Sequence, residues 1–128
     1  MNRLQVRPVR HGRSQDVEVL ALVGELDLDS EDVLATAVGD LIQERQVRLV
    51  LDCGQLTFCD SRGLGLLLTI RQNLHDRGGD LVLAAAGPQL LRTLELTGAD
   101  QVLNLADGVE EALDPIAPPE PLADDTLA

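Results

Sequence analysis

The sequence predicts a single α/β domain: a mixed, mostly parallel β-sheet with helices packed against it. Three observations carry that prediction. Short apolar runs at residues 17–23, 47–51 and 80–86 recur along the chain, each bounded by polar or turn-forming residues. Between them lie longer segments whose apolar residues repeat with a period near 3.6. Strand, helix and strand in that succession form a right-handed crossover, which makes the connected strands parallel.

The elements follow in order. Leu4-Gln5-Val6 alternates and begins a strand, and His11-Gly12-Arg13-Ser14-Gln15 is turn-like. Residues 17–23 form a strong strand ending at Gly24, so the first two strands make an antiparallel hairpin. Glu25-Leu26-Asp27-Leu28 leads out of it. Asp29 or Ser30 can cap the next helix, with Glu31 and Asp32 well placed in its first turn. Val33, Leu34, Ala37, Val38, Leu41 and Ile42 supply one apolar face, and the helix should end near residues 44–46. Residues 47–51 are the third strand. A second helix should run from about Ser61 to Arg77, stopped by Gly78-Gly79, with Leu64, Leu67, Leu68 and Leu74 buried. Residues 80–86 read as a central strand, apolar on both faces. Gly87-Pro88 opens a third helix with Leu90, Leu91 and Leu94 on one face, and Gly98 can end it. Val102-Leu103 is a last short strand, and residues 107–113 can add a terminal helical turn or two. The order is β-β-α-β-α-β-α-β, with room for a final α.

Composition bounds the function. At 128 residues with 45 % apolar content, one domain can bury a proper core. The domain is placed at residues 1–114. From Pro115 onward four of the six prolines and three acidic residues form a flexible tail, 115–128, with no core of its own. Phe58 is the one aromatic residue, and Trp and Tyr are absent, so base-stacking platforms for single strands are missing. The net charge of −12 repels a nucleic-acid backbone and an anionic membrane surface, and suits a basic protein partner. No apolar stretch is long enough to span a bilayer, and the first residues lack the apolar middle of a secretion signal, so a cytoplasmic location is expected. The spacing of Cys53 and Cys59 matches no metal or redox motif, and they are expected as buried, reduced thiols. No metal site and no cofactor are expected.

The stretch 49–69, LVLDCGQLTFCDSRGLGLLLT, places a hydroxyl where a strand gives way to a helix. A serine or aspartate there is most often an N-cap. A nucleophile elbow would need Gly-x-Ser-x-Gly, and Cys59-Asp60-Ser61-Arg62-Gly63 lacks the first glycine. A general base is missing too. His11 lies in the hairpin turn, and His75 sits roughly 20 Å along the very helix that Ser61 begins. Gly63-x-Gly65 lacks a third glycine, and the chain contains no lysine for a phosphate-binding loop. The protein is therefore not expected to be an enzyme. A hydroxyl at a helix N-terminus is nonetheless a good place for a phosphoryl group, because free N–H groups and the helix dipole favour an anion. Phosphorylation would add about −1.5 to −2 charges at a binding surface without unfolding the domain.

At these residues the sequence resembles a STAS domain, specifically the bacterial anti-sigma factor antagonist family. The matching pieces are Gly24-Glu25-Leu26-Asp27, Leu51-Asp52, the run from Leu56 through Asp60-Ser61-Arg62-Gly63-Leu64 to Gly65, and Leu94-Glu95-Leu96-Thr97-Gly98. The pattern spans about residues 4–113. The resemblance implies a protein that binds an anti-sigma factor which is also a serine kinase, and so frees a sigma factor. The kinase would phosphorylate Ser61 and dissociate, and a serine phosphatase would reverse the mark. Asp27, Asp60, Ser61, Arg62 and Gly63 would form the partner-binding surface, with Gly63 allowing close approach of the partner backbone. Arg62 stands where many members carry a small residue, and it could pair with a phosphate on Ser61. Plainer readings remain open: Ser61 as a cap alone, Asp27 as a solvated loop acid, Asp60 as an N-cap. The alternative function is a STAS subunit of a transporter or sensory assembly with no sigma-factor role.

Overall fold

The computed structural model describes residues 3–12, 17–44 and 48–113. The tail expected over 115–128 lies outside them, as do turn residues 13–15 and the expected helix end at 45–46. Within the described residues the elements are β1 (Gln5–Val9), β2 (Val17–Leu26), α1 (Glu31–Glu44), β3 (Arg48–Cys59), α2 (Ser61–Asp76), β4 (Asp80–Ala84), α3 (Pro88–Thr97), β5 (Asn104–Ala106) and α4 (Val109–Leu113). A 3₁₀ turn, Ala99–Gln101, joins α3 to β5.

The sheet runs in chain order, β1-β2-β3-β4-β5. β1 is antiparallel to β2, and the other pairs are parallel. Three successive crossovers that step the same way and share one hand must leave their helices on one face. The core is divided accordingly. Leu20, Leu22, Leu49, Leu51, Leu81 and Leu83 pack with Leu34 and Val38 of α1, Leu64, Leu67, Ile70 and Leu74 of α2, and Leu90 and Leu94 of α3. The alternate residues Val17, Val19, Val50 and Ala84 meet Ala112 and Leu113 of the short α4. Strand side chains point to opposite faces in turn. Leucine thus serves the three-helix side, while valine and alanine serve the thinner one.

The order of elements is as the sequence predicts, and the differences lie at their ends. β2 continues past Gly24, which takes φ 113°, as far as Leu26. β3 was expected to stop at Leu51 and runs on to Cys59. Its ladder with β4 ends at Asp52–Ala84, so among the described residues the following ones pair with β2 alone, and Gln55 and Thr57 are exposed. Their apolar alternation is lost although the strand continues, with two register shifts against β2. β4 ends at Ala84 rather than at residue 86, because Ala85 turns into left-handed space at φ 60°. β5 lies at Asn104–Ala106, not at Val102-Leu103; Leu103 is buried in the core while Val102 is 45 % exposed. In α2 the buried stripe is Leu64, Leu67, Ile70 and Leu74, with Leu68 only half-buried, and in α3 Leu91 is exposed.

Candidate functional site

The outer ends of β2 and β3 pair at Leu26 and Cys59, and the chain leaves each strand into a helix. Two helix N-termini therefore open at one corner of the domain.

On the β3 side the cap is Asp60, not Ser61. Asp60 is extended, at φ −93° and ψ −172°, and its Oδ1 accepts the Gly63 N–H at 2.9 Å. Its carbonyl accepts Leu64 N–H at 2.9 Å, and its own N–H donates to the Leu26 carbonyl at 3.2 Å. An aspartate cap suits this place because its charge meets the positive end of the helix dipole. Ser61 becomes the first helical residue. It is exposed, and its hydroxyl has no hydrogen-bond partner among the described residues. The other serine among them, Ser30, is buried.

Gly63 is buried one turn into α2. A Cβ there would lie 2.7 Å from the Leu26 carbonyl oxygen, 2.8 Å from Leu26 Cγ and 3.0 Å from Cys59 Sγ. The close approach that its missing side chain allows is to the end of β2 in the same chain.

On the β2 side Asp27 organises the turn into α1. Its Oδ1 accepts Asp29 N–H at 3.1 Å, and its N–H donates to Ser30 Oγ at 3.0 Å. Ser30 spends its proton on the Glu25 carbonyl at 2.7 Å and also lies 3.1 Å from Asp27 Oδ1. Asp27 is thus half-buried and tied into the turn. The two corners are joined by Arg62, whose Nη2 meets Glu31 Oε1 at 3.2 Å. The structure brings Asp60, Ser61, Arg62 and Gly63 together at the start of α2, and links them to the Asp27 turn through Leu26 and Glu31.

The sequence reading missed three contributors. Leu28 and Phe58 are 57 % and 40 % exposed beside these turns. Gln89, at the start of α3, bonds both backbone groups of Cys59. Phe58 had a signal, being the one aromatic residue, whereas Gln89 had none in any motif or period.

Cys53 and Cys59 are buried and unbonded to each other. Burial pushes both thiols up to about 12, helped at Cys53 by the charge of Asp52 and then Cys59, and at Cys59 by Asp60. They stay protonated and unreactive at neutral pH. No three His, Cys, Asp or Glu side chains converge on a metal-sized space among the described residues. His75 is near the far end of α2, and His11 Nε2 lies 2.7 Å from the Val17 carbonyl, so neither stands beside Ser61. The corner offers an exposed hydroxyl, a helix N-terminus that tolerates an anion, surrounding carboxylates and two apolar side chains.

Comparison with known proteins agrees with this fold. The family model described as the STAS domain matches residues 11–112. An anti-sigma F factor antagonist of Paenibacillus polymyxa is 30 % identical over 111 residues, covering 86 % of this chain and 92 % of the relative. The crystal structure of an anti-sigma factor antagonist from Mycobacterium paratuberculosis superimposes with a TM-score of 0.75 at 27 % identity, over 86 % of this chain and 91 % of that one. A sulfate transporter family protein from Wolinella succinogenes shares the fold, with a TM-score of 0.69 at 22 % identity, over 78 % and 84 % of the two chains.

Proposed function

The chain belongs to the STAS domain family, and on that premise we propose that it is an anti-sigma factor antagonist switched by phosphorylation of Ser61. In its unmodified form it binds an anti-sigma factor that is also a serine kinase, and the sigma factor is released. The kinase then transfers the γ-phosphoryl group of ATP to Ser61 Oγ, with release of ADP and a proton. The new charge enters a surface that already carries Asp27 and Asp60, and the partner dissociates. A serine phosphatase restores the hydroxyl. The chain itself needs no catalytic activity, cofactor or metal for this role, and it would act in the cytoplasm.

One observation carries the reading. Ser61 is an exposed serine with a free hydroxyl, set on the first residue of a capped helix. A phosphate there adds charge to the surface and leaves the core untouched. Relatives named anti-sigma factor antagonists support the same role. Asp27, Asp60, Ser61 and Arg62 form the contact surface in this reading, and buried Gly63 sets its shape from beneath.

Titration calorimetry against the anti-sigma factor tests it. Ser61→Ala should keep wild-type affinity and Ser61→Asp should weaken it. Equal affinities for all three would sink the switch. The second reading, a STAS subunit of a transporter or sensory assembly, draws on the likeness to the transporter family protein, which at 22 % identity is one of fold. Pull-down with the wild-type chain separates the two, by recovering either a kinase or a transporter.

A further inference from the structure

We infer that Gln89 is a positioning residue for Ser61, a role that rests on the phosphorylation-dependent reading above. Beyond Asp52, β3 has no strand on its β4 side among the described residues, so its backbone groups there need other partners. Gln89 supplies them at Cys59. Its Oε1 accepts the Cys59 N–H at 3.0 Å, and its Nε2 donates to the Cys59 carbonyl at 3.0 Å. One primary amide satisfies both groups that a further strand would otherwise engage. On the opposite edge the next residue, Asp60, donates to the Leu26 carbonyl. The chain entering α2 is therefore held from both sides immediately before Ser61.

The amide is itself oriented. Nε2 also lies 3.2 Å from Thr93 Oγ1, and that hydroxyl donates to the Gln89 carbonyl at 3.0 Å. A flipped amide would set its NH₂ against the Cys59 N–H and its oxygen against the Cys59 carbonyl, so one orientation is selected. Gln89 is exposed and belongs to neither core cluster. It adds little to the packing that holds the domain together, yet it ties the start of α3 to the start of α2. A hydroxyl that must meet a phosphoryl donor in line loses rate when its backbone is free to wander. Gln89 limits that freedom from 30 residues away along the chain.

The test compares wild type, Gln89→Ala and Gln89→Glu. The glutamate keeps an acceptor for the Cys59 N–H but sets a second oxygen against the Cys59 carbonyl. Amide hydrogen exchange at Cys59 and Gly63 should quicken about tenfold in both variants, with Leu51 exchange unchanged. The turnover rate for Ser61 phosphorylation by the anti-sigma kinase should fall about tenfold with KM unchanged. Unchanged exchange at Cys59 and Gly63 overturns the inference, and so does faster exchange with wild-type phosphorylation. Equal acceleration at Leu51 overturns it as well, by reducing Gln89 to a general stabiliser. A wild-type chain that the kinase never phosphorylates fails before any variant is made. That result overturns the reading of Ser61, and the role given to Gln89 with it.

Discussion

Residues 48–52 and 53–59 are one strand held in two different ways. The inner half lies between β2 and β4, with Leu49, Val50 and Leu51 buried on alternate faces. Among the described residues the outer half pairs with β2 alone and shifts register against it twice. Its remaining support comes from side chains: Thr57 Oγ1 donates to the Gly24 carbonyl at 3.0 Å, and Gln89 grips Cys59. The inner half makes the fold, and the outer half carries the candidate site to the edge of it. A domain can thus vary or modify its working corner while a separate stretch of the same strand secures the core.

The largest effect should come from breaking the inner half. Leu51 is fully buried among the helix-facing leucines. Leu51→Ala should cost about 2–5 kcal/mol in urea unfolding, from lost burial plus the cavity left behind. The fraction still folded should bind the anti-sigma factor as wild type does. If affinity falls as far as stability, the two halves are not separable.

Gly63→Ala tests the joint between the halves. The added methyl meets the Leu26 carbonyl, which is fixed in the sheet and cannot swing aside as a flexible side chain would. A loss of about 1–3 kcal/mol is expected, smaller than for Leu51→Ala. Because α2 must shift at its first turn, partner affinity should drop as well. A variant of full stability and full affinity would show that the corner yields without consequence.

The comparison also explains what could be read from the sequence. The inner half was legible because a strand with two neighbours and two covered faces must be apolar throughout. The leucine stripes of α1 and α2 were legible for a similar reason, since burial imposes the helical period. The outer half was not. Gly54, Gln55 and Thr57 look like a loop because none of them is buried, although β2 pairs with Gln55, Leu56, Phe58 and Cys59 around them. The serine was found from its place between strand and helix, while the choice of cap between Asp60 and Ser61 was left open. Asp60 and Ser61 are both good capping residues, and only geometry decides that the carboxylate turns to Gly63 and leaves the hydroxyl to solvent. Gln89 could not be found at all, because its partner is a backbone peptide far away in sequence.

Alkaline pH should sharpen the picture at the two cysteines that bracket the outer half. Burial raises both thiols from 9.0 to about 12. The folded state therefore keeps protons that the unfolded chain gives up above pH 9, and stability present below pH 9 should be lost as pH climbs towards 12. The chain has no lysine and no tyrosine, so few other groups titrate in that window. Thermal unfolding between pH 8 and about pH 10 should record a modest fall for wild type, and a flatter profile for Cys53→Ala with Cys59→Ala. An equal fall in the double variant would assign the pH dependence to other groups.

The smallest effect on stability belongs to Arg62. Its pair with Glu31 joins the first turns of α2 and α1, but the arginine side chain is 61 % exposed, and such pairs contribute about 0–1 kcal/mol. Arg62→Ala should leave urea unfolding almost unchanged. Beyond any contact it makes with the partner, its consequence should appear after phosphorylation. A phosphate on Ser61 would compete with Glu31 for the neighbouring guanidinium, because arginine favours phosphate oxygens over a lone carboxylate contact. The phosphate of Arg62→Ala should then be less well held at the surface, and its ³¹P titration should move up, since the lost cation no longer favours the dianion. Identical ³¹P titrations for the two phosphoproteins would mean that Arg62 stays on Glu31, and that the outer corner keeps the same ion pair in both states.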